Sequence, residues 1–333
     1  MKSSLLIAAL LSYAVAPVLA VSYPSGDLRG TGAGDLLLNK RKPRYYNEVW
    51  SWQIALDDGS QVSLNFTYAR LGFKDPVCGA DISIANFKAK GRNYTVGREY
   101  PEDRLQQNGN PLRVQIHPDI WFQGQPPASH HLHFATTKNE GYYLDLAFSQ
   151  MEPGVSWGNG VFSLKEGDLN VAVPIPMARV SGRLAVGGDT VKVEGWAVME
   201  HLRQTALLAD LVDENYRGFR AGPNPLYMNV FKEKGRGWTG FVVDWKDGKP
   251  VLHTPGTVSV ASGAGYDPPS RVEFASAQGG RFVLDRKSYL QGNSILDGME
   301  GVTRWVVKQF IGDVRLARGR TTDGFYQYIK VKR

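Results

Sequence analysis

Two short stretches of the chain hold residue types that could do chemistry. The first is "VEGWAVMEHLRQT", Val193 to Thr205, where a carboxylate and an imidazole stand side by side as Glu200 and His201. A glutamic acid enclosed in an apolar cavity can keep its proton and act as a general acid, because desolvation disfavours the charged form. The second is "SHHLHF", Ser129 to Phe134. On a strand His131 and His133 share one face while His130 points the other way, so two imidazoles can converge on one ligand. Zinc usually takes at least three protein ligands, and no spacing in the chain supplies a third. The pair is therefore read as contacting an organic ligand, with no metal.

The familiar catalytic signatures are missing. There is no G-x-S-x-G elbow, no H-E-x-x-H helix and no phosphate loop ending in Gly-Lys-Ser/Thr. "GRGWTG", from Gly235 to Gly240, fits G-x-G-x-x-G, but a strand pattern follows it where a dinucleotide site needs a helix. No cofactor is expected.

The elements that must position these residues are strands. Around Glu200 the alternation puts Val191, Val193, Gly195, Ala197 and Met199 on one face, and Glu194, Trp196, Val198 and Glu200 on the other. From Trp50 onward, runs of alternating hydrophobicity are broken by tight-turn pairs at Asp58-Gly59, Glu140-Gly141, Gly187-Gly188, Asp247-Gly248, Gly279-Gly280 and Asp323-Gly324. That density of hairpins belongs to antiparallel barrels or sandwiches. Only "TALLADLVDENYRGF", Thr205 to Phe219, shows helical spacing, through Leu207, Leu208, Leu211, Val212 and Tyr216. It predicts a short helix joining two β domains, each large enough for a barrel whose interior holds one small ligand.

The ends and the composition narrow the class. "MKSSLLIAALLSYAVAPVLA", residues 1–20, reads as a secretory signal: Lys2, an apolar run, then Val18-Leu19-Ala20 as a cleavage tripeptide. A secreted or periplasmic product is expected. Residues 21–44 are Gly-rich and aperiodic, a flexible leader; residues 45–210 and 211–333 are the two domains. Cys78 is the only cysteine, so no internal disulfide can form and burial alone must hold the fold. The chain has 333 residues, 42% of them hydrophobic, enough for that. A formal net charge of +7, mostly dispersed, argues against nucleic acid and leaves transient contact with an anionic membrane surface open.

Several stretches carry a family resemblance: "YYNEVWSWQIALDDG", "HHLHFATT", "VSWGNGVFSL", "VEGWAVMEHLRQT", "GYDPPSRVEFA" and the closing hairpin. In this order they resemble the tandem lipocalin-like superfamily of carotenoid 1,2-hydratases (hydroxyneurosporene synthases), fungal decalin-forming pericyclases and yeast survival-factor proteins, from about Tyr45 to the C-terminus. The hydratase motif reads roughly Tyr-His-Asp-His-Asn-Trp-Gly, with Asp as proton donor. By position the resemblance places that acid on Glu200 and the following imidazole on His201. Val198 stands where that branch has Tyr, and Arg203 where it has Trp. "EHLRQT" is more similar to the survival-factor branch, whose role is lipid handling.

The expected protein is thus all-β, with two consecutive lipocalin-like antiparallel barrels or sandwiches joined by a short helix. Its expected partner is a bulky apolar small molecule or lipid, held by Trp50, Trp52, His131, His133 and Trp196, with Glu200 and His201 as the chemical pair. Three functions stay open at this point. They are a cofactor-free carrier, a cofactor-independent hydratase or cyclase using Glu200 as general acid, and a surface adhesion or polysaccharide-binding protein. The last requires a solvated Glu200 and exposed aromatic residues.

Overall fold

A computed structural model describes residues 21–39, 43–70, 72, 75–261, 263–294 and 313–332. The proposed signal, residues 1–20, lies outside the described residues. All six turn pairs join adjacent antiparallel strands. At Gly187-Gly188, for example, φ is +61° and +84°, left-handed values that a side chain would resist.

The strands form two antiparallel sheets. The first runs, neighbour to neighbour, Arg92–Pro101, Val77–Phe87, Gln61–Arg70, Tyr46–Leu56, Asp189–Gln204, Gly167–Val186, Tyr142–Ser149, His131–Thr136, Ile120–Gln123, Leu112–His117 and Gln106–Gly109. In a flat sheet Trp52 and Phe122, five strands apart in this order, would be separated by roughly 24 Å. Their ring centroids are 5.1 Å apart, so the sheet curls on itself into a near-barrel. Alternation explains the filling: Trp50, Trp52 and Ile54 point inward, with Phe66, Phe122 and Phe134 packed against them. The interior is a packed core of large, fully buried side chains.

The second sheet runs Lys249–His253, Trp238–Lys246, Leu226–Glu233, Val212–Arg220, Gly324–Lys332, Asp313–Thr321, Arg281–Ser294, Arg271–Ser276 and Pro255–Ala261. The two sheets do not stand apart. Phe162 of the first packs its ring 5.4 Å from Phe231 and 5.7 Å from Phe241 of the second, within one apolar cluster that spans both. No helix among the described residues is long and apolar enough to cross a membrane.

Two expectations need correction. The joining helix is only Leu208–Leu211, and Val212–Arg220 is a strand. Val212, Glu214 and Tyr216 are buried in alternation, and pairing on both sides outweighs the helical spacing of the leucines. The leader is also no free tail. Leu28–Gly30 pairs with Val155–Trp157, Tyr23 stacks on Trp157 and bonds Thr239 of the second sheet at 2.7 Å, and Leu36 and Leu38 are buried in the barrel core. Its contacts come from its backbone and from single side chains, which leave no period in the sequence.

Candidate functional site between the two sheets

Glu200 and His201 project to opposite sides of Asp189–Gln204, as strand geometry demands. His201 enters the barrel end. It stacks on Trp50 at 4.7 Å, its Nδ1–H donates to the Asp35 carbonyl at 2.5 Å, and its Nε2 lies 2.9 Å from Glu48. Burial pushes the His201 imidazole below its ordinary range, against the pull of Glu48. Burial alone would raise Glu48, yet His201, Arg203 and the Tyr46 hydroxyl outweigh it and hold the carboxyl down to about 2. Trp50 donates to the Leu36 carbonyl at 2.7 Å and Arg203 to that of Leu37 at 3.1 Å. These groups fasten the leader across the barrel mouth. Trp52 donates to His130, which burial pushes down to about 3.

Glu200 faces the second sheet. Its Oε2 accepts from Arg217 Nη1 at 2.5 Å and its Oε1 from the Tyr227 hydroxyl at 2.5 Å, and the residue is 0% exposed. Burial, with Glu200 beside it, pushes the Tyr227 phenol well above its ordinary value. Asn229 donates to the Tyr227 oxygen at 3.1 Å and accepts from Asn215 at 2.8 Å.

Strand register extends this contact into two facing rows. On the first sheet Glu200, Ser51, Asn65 and Asp81 lie opposite one another on successive strands. On the second, Asn229, Arg217, Gln327, Arg318 and Gln291 do the same. Between the rows lie two adjoining cavities of about 210 and 620 Å³, which share Asn65, Thr67, Asp81 and Leu316 in their walls. The smaller is lined on its other side by apolar groups, among them Val49, Leu169, Leu202, Val212 and Ile329.

The polar wall is incompletely paired. Asn47 Oδ1, Arg217 Nε, Gln327 Oε1 and Arg318 Nε are buried with no hydrogen-bond partner among the described residues. Such groups cost free energy unless something completes them, so their convergence on one cleft makes it the candidate binding site. Asp81 accepts from Asn65 at 2.8 Å, and burial pushes its carboxyl up although Asn65 and Arg318 pull the other way. Burial also lowers Arg318, to about 10. Cys78 lines the larger cavity with its thiol pushed up to about 11 by burial, too weakly acidic to serve as a nucleophile.

The seven residues singled out in the sequence do not form one site. Trp50, Trp52 and His201 belong to the barrel core and mouth. His131 and His133 lie on the outer barrel face, bonded to the two oxygens of Asp145 at 3.0 and 2.8 Å, with Trp121 against both rings. No group of three metal-binding side chains is assembled among the described residues. Trp196 shares the strand face of Glu200 but sits at another margin of the interface, under the Arg179 guanidinium at 4.9 Å. Only Glu200 approaches the cleft, and it does so through Arg217, which lines the smaller cavity. The polar residues that line the cleft, Asp81, Arg217, Arg318, Asn65 and Gln327, carry one faint signal in the sequence. The outward positions of Gln61–Arg70 and Val77–Phe87 include short Ser, Asn, Thr and Gly, where a solvated face usually has Lys and Glu.

No protein-family model and no curated protein matches the chain. Solved structures do. The AttH protein of Nitrosomonas europaea superposes with a TM-score of 0.59 at 13% identity, covering 86% of this chain and 92% of that one. CghA, solved with Sch210972, gives a TM-score of 0.59 at 13% identity over 87% of this chain and 89% of its own. At this identity the likeness is one of fold, a tandem lipocalin-like architecture that spans both sheets.

Proposed function

We propose that the chain is a cofactor-independent hydro-lyase or cyclase that takes a bulky apolar molecule, a lipid, isoprenoid or polyene, into the cleft between its two sheets. The observation that carries this is Arg217, a buried guanidinium with Nε unpartnered, oriented by Glu200 and set against apolar walls. That CghA was solved with a small molecule on the same fold supports the reading.

The residues divide the work. Arg217 hydrogen-bonds a substrate oxygen and draws electron density from the conjugated system, which acts strongly in a dry, preorganised site. Glu200 is a positioning residue: both of its oxygens are engaged, by Arg217 and Tyr227, so it holds the guanidinium rather than giving a proton to substrate. Asp81, with its carboxyl pushed toward the protonated form by burial, is the acid. In a hydration it gives its proton to one alkene carbon, water oxygen bonds the other, and the proton that water loses returns to Asp81. In a cyclisation no atoms are exchanged and Arg217 alone activates the substrate.

The adhesion alternative conflicts with the burial of Glu200 and with the exposed surface. Among the described residues only Tyr23 and Tyr289 are large exposed hydrophobics. Carrier and enzyme are separated by incubating the purified chain with a panel of conjugated polyenes and analysing the extracts by liquid chromatography and mass spectrometry. The expected products are a water adduct, or an isomer of unchanged mass and altered retention, absent with Asp81→Asn or Arg217→Met respectively. A polyene that is retained by the protein yet returned unchanged across the panel would make it a carrier.

A further inference from the structure

Arg318 is the least compensated charge in the cleft. It is 2% exposed, its Nη1 donates to the Ser83 carbonyl at 3.1 Å, and its Nε has no partner among the described residues. Arg217, two strands away on the same row, has Glu200 against it; Arg318 has no carboxylate within ion-pairing distance among the described residues. The carboxyl that shares its cavity, Asp81, is tied to Asn65 instead. The same cavity is lined by Arg98 and Lys138, with Glu99 as the other acid, so cations prevail there whenever Asp81 carries its proton. Asn293 lines it too, with Oδ1 unpartnered.

A buried guanidinium without a counter-charge is costly, and a bound oxyanion removes that cost. From this we infer that the ligand of the cleft is amphipathic: its apolar body lies in the smaller cavity, and an oxyanion head group, a carboxylate or an enolate, sits in the larger cavity on Arg318. The inference rests on the cleft being the binding site and adds the head group and its anchor. The smaller cavity offers the body a continuous apolar side at Val49, Leu169, Leu202, Val212 and Ile329, and the larger one holds Arg318.

The test uses the full chain at neutral pH and two fluorescent probes, cis-parinaric acid and its methyl ester, the same polyene with and without a charged head. The chain is expected to bind the acid at least about tenfold more tightly than the ester, the scale of one charge-assisted hydrogen bond. Arg318→Gln should bring the two to near parity by weakening the acid alone. Asn293→Asp, which sets a carboxylate in the wall and leaves Arg318 in place, should weaken the acid and spare the ester even where the first variant does not fold. Equal affinities in the unaltered chain, or a preference that survives Asn293→Asp, would overturn the head-group assignment. Thr67→Trp fills the wall shared by both cavities. Equal binding of both probes that Thr67→Trp abolishes would remove the head group and keep the cleft, whereas binding that Thr67→Trp leaves intact, or no binding of either probe, would remove both.

Discussion

Glu200 and His201 are neighbours in the chain and sit in two regions that use polar residues in opposite ways. In the barrel, His201, Trp50, Arg203 and Tyr46 spend their donors on the backbone of residues 35–39 or on Glu48, and aromatic rings fill the remaining space. In the cleft, Arg217, Arg318, Gln327 and Asn47 keep donors or acceptors unpartnered around open volume. These four barrel residues are committed to holding the fold, whereas the named atoms of the cleft are available to a ligand. A buried polar residue is therefore no sign of a site by itself, and the informative quantity is what its remaining atoms face.

The comparison can be broken most sharply at Trp52. Truncating a fully buried indole should destabilise the chain by about 3–5 kcal/mol, seen as a lowered urea midpoint, through the cavity left and the lost bond to His130. A loss below about 1 kcal/mol would mean the barrel interior is not the packed core described.

Acid should act on the two regions with opposite sign. His130 and His201 are held below their ordinary value of 6.5 and Glu48 below 4.5, so each binds fewer protons folded than unfolded as pH falls. Their contribution is full above about pH 6.5 and is lost toward acid, for His130 by on the order of 4 kcal/mol by about pH 3. Asp81 is raised, so its contribution is full below the ordinary carboxylate range and is lost as pH rises through its folded value. Denaturant midpoints measured across pH should therefore flatten on the acid side in His130→Phe, and in Asp81→Asn should lose the fall that begins above the ordinary carboxylate range. An acid limb unchanged in His130→Phe would contradict the barrel account.

In the cleft, function and stability should separate. Replacing both members of the buried pair, Glu200→Gln with Arg217→Met, leaves no unpaired charge and should change stability by no more than about 1 kcal/mol. Turnover of a polyene substrate should nevertheless fall by about 10²–10³ with the loss of the guanidinium donor. Full activity in the double variant would return both residues to a structural role. The smallest effect is expected at Trp196, whose half-exposed contact with Arg179 is worth about 0.5–1 kcal/mol and whose truncation should leave turnover unchanged.

Much of the fold was legible because hairpins announce themselves locally: Asp58-Gly59 and Gly187-Gly188 combine turn chemistry with flanking alternation. The helix was over-extended because Leu207, Leu208 and Leu211 fit a helical period as well as a loop packed on a strand. Tertiary pairing decided the residues from Val212 onward. The site was less legible. Alternation correctly placed Glu200 opposite Met199, but period 2 cannot tell solvent from a second sheet, so nothing in the pattern sets Asp81 and Asn65 apart from surface positions. Arg217 and Arg318, a hundred residues apart in sequence, become neighbours only through the Gly324–Lys332 strand between them. Trp50 and His201 attracted attention by residue type and proved to hold the leader.

The claim on which the rest depends is that the ligand occupies the cleft and not the barrel. A polyene fatty acid carrying a diazirine along its chain, photolysed with the full-length protein and mapped by peptide mass spectrometry, tests it directly. The label should fall on Val49, Leu202, Leu316 or Ile329, which wall the smaller cavity. Label concentrated on Leu36, Trp50 or Phe122, inside the barrel, would contradict it.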